Sequence, residues 1–229
     1  MIIAIDGLAG SGKSSTAKKV AEKLGYNYFT TGKMYRAFTL FSIENNLIHN
    51  MPISIEKMIN DIDISLEGKN FNTIFINGVN YTKKGFNLYS TSVNKNISKI
   101  SSIQLLREKM VNIQRSVSKN SNVICEGRDI GTVVFPNADL KFFFKADLQS
   151  RVDRRYLDLK SNDSKITKSY LRKMIKERDY KDINRLVSPL RRAKDSFLVI
   201  TTNMTMEEQI NFILKKIKNT KEQNGKNRR

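Results

Sequence analysis

A single cysteine, Cys125, stands in the 229 residues, which excludes an internal disulfide and fits a reducing compartment. The only histidine, His49, falls in a loop-like stretch over 46–52, so it reads as a solvated side chain. Cys125 closes an apolar run and reads as a small core residue. Histidine- and thiol-based chemistry therefore have little support. No apolar run reaches the length of a membrane span, and the first residues lack the basic start and long apolar core of a secretory signal. A soluble, cytoplasmic protein is expected. Acidic residues are also scarce, 22 against 41 lysines and arginines, for a formal charge of +19.

Such a charge suits a nucleic-acid binder or an enzyme for anionic nucleotides. The lysines are scattered singly, often beside asparagine, as on a solvated surface. The arginines instead sit in distinctive local patterns, and arginine suits bidentate phosphate contacts. Nucleic acid is thus the less favoured partner.

The most informative stretch is Gly7-Leu8-Ala9-Gly10-Ser11-Gly12-Lys13-Ser14, which fits the phosphate loop G-x-x-x-x-G-K-[ST] at every fixed position. An apolar strand over 2–6 leads in, and a helix-forming run beginning at Ser15 leads out. Glycines let the backbone curl until successive N–H groups face phosphate oxygens, and the following helix adds its positive dipole end. Lys13 would reach the β- and γ-phosphates, and the Ser14 hydroxyl would meet Mg2+.

Five short segments rich in β-branched and aromatic residues, 2–6, 27–29, 122–125, 140–145 and 197–201, alternate with helical stretches. That alternation predicts an α/β fold, a five-stranded parallel sheet flanked by helices. Residues 59–94 break the rhythm with an alternating pattern and an Asn77-Gly78 turn, which predicts a small antiparallel unit inserted into a core of 1–58 and 95–229. A long helix over 93–119, with Ile103, Leu106, Met110, Ile113 and Val117 as its apolar stripe, would return the chain to the sheet. The basic tail, 216–229, is expected to fray.

Strand ends mark candidate sites in such sheets. Arg36 lies just inside the helix after the second strand, where it could clamp a phosphate. Glu126-Gly127-Arg128-Asp129 follows the third core strand, a costly place for an unpaired arginine. Arg151, Arg154 and Arg155 share one helix face, either solvated or directed at the donor phosphates. Arg178, Asp182 and Arg185 are spaced for one helix face as well, as a plain ion pair or as an anion grip.

Together these blocks resemble the bacterial cytidylate kinase family. The phosphate loop, Thr-Gly-Lys-Met-Tyr-Arg at 31–36, Glu-Gly-Arg-Asp-Ile-Gly-Thr-Val-Val-Phe-Pro at 126–136 and Lys-Glu-Arg-Asp at 176–179 occur in family order over nearly the whole chain. The resemblance implies phosphoryl transfer from ATP to CMP or dCMP with Mg2+, by a P-loop kinase acting as a monomer. It places the donor nucleotide on Gly7, Leu8, Ala9, Gly10, Ser11, Gly12, Lys13, Ser14, Ser15 and Arg154. It places the CMP phosphate on Arg36, Arg128 and Arg185, with Tyr35 beside them, and the ribose on Asp182 supported by Arg178. The base would be read by Ser98, Arg107 and Asp129. Lys13, Arg128, Arg151 and Arg155 would carry catalysis, the last two from a short lid over 148–165, and residues 59–94 match the monophosphate-binding insert. Thr201 departs from the family pattern, where aspartate is common, and is assigned no role. A kinase for UMP or AMP, and a P-loop protein for RNA or DNA, are the alternatives. A nucleotide switch is disfavoured, because no guanine-reading N/T-K-x-D element is found.

Overall fold

The computed structural model describes residues 1–160 and 166–226. From the N-terminus, β1 (Ile2–Gly7) passes through the phosphate loop into α1 (Lys13–Leu24), and β2 (Asn27–Thr30) runs straight into α2 (Thr31–Glu44). A short helix, α3 (Ile53–Met58), precedes β3 (Ile64–Glu67), β4 (Thr73–Ile76) and β5 (Val79–Asn80). Helices α4 (Thr91–Ile100) and α5 (Gln104–Ser118) lead back to β6 (Val123–Gly127), and a π-helical turn occupies Ile130–Val134. The chain closes with β7 (Leu140–Lys145), α6 (Leu148–Lys160), α7 (Lys168–Asn184), β8 (Phe197–Ile200) and α8 (Met206–Lys226).

The central sheet has the order β2-β6-β1-β7-β8, every pair parallel. Its three inner strands, β6, β1 and β7, are buried on both faces because alternate side chains enter two different cores, while the edge strand β8 leaves Phe197, Leu198 and Ile200 exposed. Ile3 and Ile5 of β1 join Ile124, Phe142 and Phe144 against Val20 of α1 and Ile213 of α8. Ala4 of β1 and Val123 and Cys125 of β6 face the other way, onto Met34 and Phe38 of α2 and Leu106 and Met110 of α5. A third, smaller cluster of Val152, Leu171 and Ile175 holds α6 to α7.

The second sheet is antiparallel, in the order β3-β4-β5, as the alternation in the sequence predicts. Asn77 and Gly78 both have positive φ, 48° and 76°, the geometry that matches a two-residue turn to twisted strands. Its inner residues Ile64, Leu66, Ile74 and Ile76 pack into the same core as Phe38 and Phe41. The insert therefore has its own sheet but shares the core of the main fold.

One expectation is corrected. The single helix over 93–119 is two helices, α4 and α5, parted at Ser101–Ile103. The N–H of Ser101 turns back to the carbonyl of Ile97, and Ile103 becomes the cap of α5. The basic stretch from Lys216 continues α8, which is helical through Lys226 and buries Ile217 on its inner face. Residues 161–165 of the expected lid and 227–229 of the tail lie outside the described residues. His49 is exposed in a single 3-10 turn, and Cys125 is fully buried. Among the described residues no helix is long and apolar enough to cross a membrane.

Candidate active site

Every strand of the parallel sheet points its carboxyl end at one edge, and the conspicuous polar residues gather there. The phosphate loop turns into α1 at Gly12, whose φ of 87° is the left-handed conformation that glycine tolerates best. α1 therefore starts with its free N–H groups facing the loop. The Lys13 ammonium folds back on the loop, donating to the Leu8 carbonyl at 3.3 Å and standing 3.8 Å from Glu126. Ser14 Oγ donates to the other oxygen of Glu126 at 2.9 Å. Glu126 is the last residue but one of β6, opposite Ile5 of β1, which is why a strand residue reaches the loop.

Asp6, at the end of β1, accepts the N–H groups of Ile130 and Gly131 at 2.8 and 2.7 Å. It thereby fixes the π-helical turn and, just before it, Arg128 and Asp129. Burial pushes its carboxyl up to about 7, against the opposing pull of those two N–H groups.

Asp129 lies at the centre of a buried chain of charges. One carboxylate oxygen is bound by Arg107, while the other stands 3.6 Å from Arg185, beyond hydrogen-bond reach. Arg107 also donates to the Ser101 carbonyl at 3.0 Å and lies over the Tyr35 ring, 5.5 Å from its centroid. Tyr35 is pushed up to about 12 by burial. Ser98 sits one turn earlier on α4, and it is the Ser101 carbonyl, not Ser98, that touches Arg107.

A second chain runs through Arg128, whose Nε donates to Asp182 at 2.7 Å. Burial disfavours its charge, but Asp182 outweighs that and raises its pKa. Arg178 stands 4.0 Å from the same Asp182 oxygen. Burial pushes Asp182 upward, yet Arg128 and Arg178 together hold it below the usual carboxylate range. Asp182 is thus more than half of a helix ion pair. Arg185 donates to the Ser188 carbonyl, and its pKa is lowered first by burial and then by Arg107. Arg36, buried on α2, donates to the Leu88 carbonyl at 2.9 Å and to Asn94 at 2.8 Å, with Tyr89 stacked 4.5 Å away. Burial, then the like charge of Arg178, lowers it to about 10.

The three expected lid arginines go to different places. Arg151 is buried against Asp179 and the Ala9 carbonyl. Arg154 reaches the Thr201 hydroxyl at 3.2 Å and the carbonyls of Thr201 and Thr202. Arg155 is half-buried, and its charge is felt by Arg36 and Arg178. Thr201, to which no role was assigned from sequence, is fully buried and donates to the Ser11 carbonyl at 2.8 Å, propping the phosphate loop. Asp6 and Thr201 carry no motif of their own, and Glu126 and Asp179, though inside the blocks at 126–136 and 176–179, were given no role from sequence. The one available signal was a buried acid or hydroxyl at or beside a strand end.

Burial and then the neighbouring Arg128 lower Lys13 from its ordinary 10.5 to about 7. At about pH 8 its amine is thus largely neutral until an anion arrives and draws the proton back. Titrating Mg·ATP into the protein in two buffers of different ionisation enthalpy should show uptake of close to one proton at about pH 8, and far less at about pH 6. Identical heats in both buffers at the higher pH would contradict the lowered Lys13.

A phosphate loop on the first strand of a parallel sheet, with arginines paired to buried acids at the same sheet edge, defines a nucleotide phosphotransferase of the P-loop class. The family model for cytidylate kinase matches residues 3–219, and the chain belongs to the cytidylate kinase family. It is 44% identical over 221 residues to the cytidylate kinase of Fusobacterium nucleatum, covering 96% of this chain and 99% of that one. Against the cytidylate kinase of Clostridium botulinum strain Loch Maree it is 42% identical, covering 94% and 97%. The solved structure of an uncharacterized protein from Eubacterium ventriosum shares the fold, with a TM-score of 0.51 at 12% identity over 95% and 98% of the two chains.

Proposed function

We propose that this phosphotransferase moves the γ-phosphoryl group of ATP to CMP or dCMP, giving ADP and CDP or dCDP. The observation that carries the reading is the position of Arg128 between the two anion sites. It follows by two residues Glu126, which meets Lys13 and Ser14 on the donor side, and its Nε donates to Asp182 on the acceptor side at 2.7 Å.

Between these sites, a phosphate oxygen of the acceptor attacks the γ-phosphorus as the bond to the β,γ-bridging oxygen breaks and ADP departs. The acceptor oxygen is already anionic, so no strong protein base is needed. The dominant barrier is repulsion between two polyanions, which positioned cations relieve. Lys13 and the loop N–H groups hold the donor. Arg36, Arg128 and Arg185 hold the acceptor phosphate, Asp182 the ribose, and Arg155 approaches from the lid. Ser14 and Glu126 form an all-oxygen pair at the loop, which suits Mg2+ and its preference for one or two protein ligands beside phosphates and waters. When bound, Mg2+ neutralises charge on the β- and γ-phosphates.

The base side fits cytosine. The carboxylate oxygen of Asp129 that Arg107 leaves open suits the N4 amino group. Among the described residues, Arg107 Nε and one terminal nitrogen of Arg185 are buried donors without hydrogen-bond partners. The O2 and N3 acceptors of cytosine would satisfy such donors, whereas uracil presents N3–H and an O4 acceptor instead. The arginines of the site converge on a single sheet edge rather than a stripe along a surface, which favours free nucleotides over nucleic acid.

A coupled ADP-release assay with Mg·ATP and CMP, dCMP, UMP or AMP, repeated with RNA as competitor, tests the reading. Turnover at least about a hundredfold faster in kcat/KM with CMP and dCMP than with UMP is expected. Equal use of UMP removes the base-reading assignment, and no transfer to any monophosphate removes the kinase for these acceptors.

A further inference from the structure

Ala9 sits in the middle of the phosphate loop, and both of its backbone polar groups are taken by one buried ion pair. Its N–H donates to Asp179 at 3.4 Å, and its carbonyl accepts from Arg151 at 3.2 Å. Arg151 and Asp179 are themselves bound to each other, so the four groups close a ring on a single residue of the loop. The partners come from different helices, Arg151 from the first turn of α6 and Asp179 from α7. α6 also lies directly on the loop. A Cβ added to Gly10, whose φ is 73°, would come within 3.3 Å of the Arg151 Cβ.

We infer that the Asp179–Arg151 pair is a clamp that sets the geometry of the phosphate loop at Ala9, and that Asp179 is a positioning residue for the donor nucleotide. The inference rests on the nucleotide-binding reading of that loop. Its physical basis is preorganisation. A loop that binds phosphate through N–H groups must hold them convergent before the ligand arrives, and each peptide turned away loses a donor. The Leu8 carbonyl, which shares one planar peptide with the Ala9 N–H bound by Asp179, accepts from Ser11 Oγ at 2.9 Å and from Lys13 at 3.3 Å. Rotation at Ala9 would carry that carbonyl, and with it Lys13, out of place. An ion pair is well suited to hold a peptide from both sides, because charge-assisted hydrogen bonds are about twice as strong as neutral ones.

The clamp has a second consequence. α7 carries Asp179 to the donor loop and, on neighbouring turns, Arg178 and Asp182 to the acceptor side. The first turn of α6 and this part of α7 are thus tied to the core, and any lid closure in α6 must begin beyond Arg151. Arg151 acts through the loop and not as a direct phosphate contact.

The test uses the full chain as wild type, Asp179→Asn, Arg151→Lys and the double variant. Melting curves are recorded, and initial rates are measured with ATP varied at saturating CMP and CMP varied at saturating ATP. Asp179→Asn keeps the shape and an acceptor for Ala9 but removes the charge that orders Arg151. It is expected to raise KM for ATP about tenfold or more and to leave KM for CMP within about twofold. Arg151→Lys should show the same selectivity, and the double variant should be no worse than the more affected single, as members of one unit behave. Should Asp179→Asn fail to fold, the Arg151→Lys split decides alone. Unchanged KM for ATP in a folded variant, or equal rises for ATP and CMP, overturns the clamp. A loss of kcat at saturating ATP confined to Arg151→Lys places Arg151 on the transferring phosphoryl group and also overturns it. A wild type that neither binds ATP nor turns over fails the nucleotide reading instead, which separates the two failures.

Discussion

Asp129→Ala is expected to lower kcat/KM for CMP by roughly a thousandfold or more while KM for ATP changes little. The size follows from what the carboxylate holds. One oxygen binds Arg107, and the other faces Arg185 at 3.6 Å. Asp129 and Arg107 are both almost fully buried, at 4% and 3% exposure. Removing the acid leaves two guanidinium groups in a dry site without their counter-charge, and deletion of one partner from a buried pair costs about 3–5 kcal/mol. The variant should therefore also melt well below the wild type. A general loss of stability would depress every substrate alike, so the ratio of kcat/KM for CMP to that for UMP is the deciding quantity. It should fall from a strong preference toward unity, because uracil never had use for an acceptor at position 4. Asp129→Asn, which keeps the shape and one acceptor oxygen, should retain more stability and still lose most of the preference. If the CMP-to-UMP ratio survives both changes in folded protein, Asp129 orients Arg107 and Arg185 but does not read the base.

How far the sequence carries depends on whether a feature is local. The phosphate loop is eight consecutive residues, and the five core strands are short apolar runs between helices, so both are read directly and the strand ranges differ from the structure only at their ends. The break between α4 and α5 is invisible for a definite reason. Ile97, Ile100, Ile103, Leu106 and Met110 keep a helical spacing straight across it, and all five are buried. Periodicity reports which residues face the core, and here two helices present one continuous stripe. What separates them is the backbone at Ser101, whose carbonyl is then available to Arg107. Ser98 drew attention by its place in a family pattern, while the contact to Arg107 came from a main-chain group that no side-chain pattern can encode. The helical course of the tail is equally hard to read. Its lysines suggest fraying, while Ile210, Ile213 and Ile217 bury one face of α8 against the sheet. Asp179 and Thr201 were missed because their partners lie far off in the chain, 170 residues from Ala9 and 190 from Ser11. A lone acid on a helix says nothing about which loop will fold onto it.

Lys13→Met should abolish most of the activity and at the same time raise the melting temperature. The loss, expected at about a thousandfold or more in kcat/KM for ATP, reflects removal of the cation at the β- and γ-phosphates, where charge neutralisation is most of the catalysis. The gain follows from the position of the lysine. Its ammonium is buried and crowded by Arg128, and its pKa is lowered from 10.5 to about 7. A basic group whose folded pKa lies below its unfolded value opposes folding. The penalty is fully present below about pH 7, where the lysine is charged in both states, and fades as pH rises toward about 10.5, where it is neutral in both. At neutral pH this amounts to roughly a few kcal/mol, a net figure in which the attraction of Glu126 at 3.8 Å is already counted. Methionine fills similar volume without the charge. Ser14 still donates to Glu126, so that carboxylate keeps one partner. Melting curves of both proteins without nucleotide, taken from about pH 7 to about pH 10, provide the measurement. The variant should melt several degrees higher at the low end, and the gap should close steadily as pH rises. A variant that melts lower at neutral pH would mean that the Glu126 contact outweighs desolvation and that Lys13 belongs to the stability of the loop. The expected result has the opposite meaning: the empty phosphate loop holds its lysine in an unfavourable state that a polyanion relieves, so part of the donor's affinity is stored in the fold before the donor arrives.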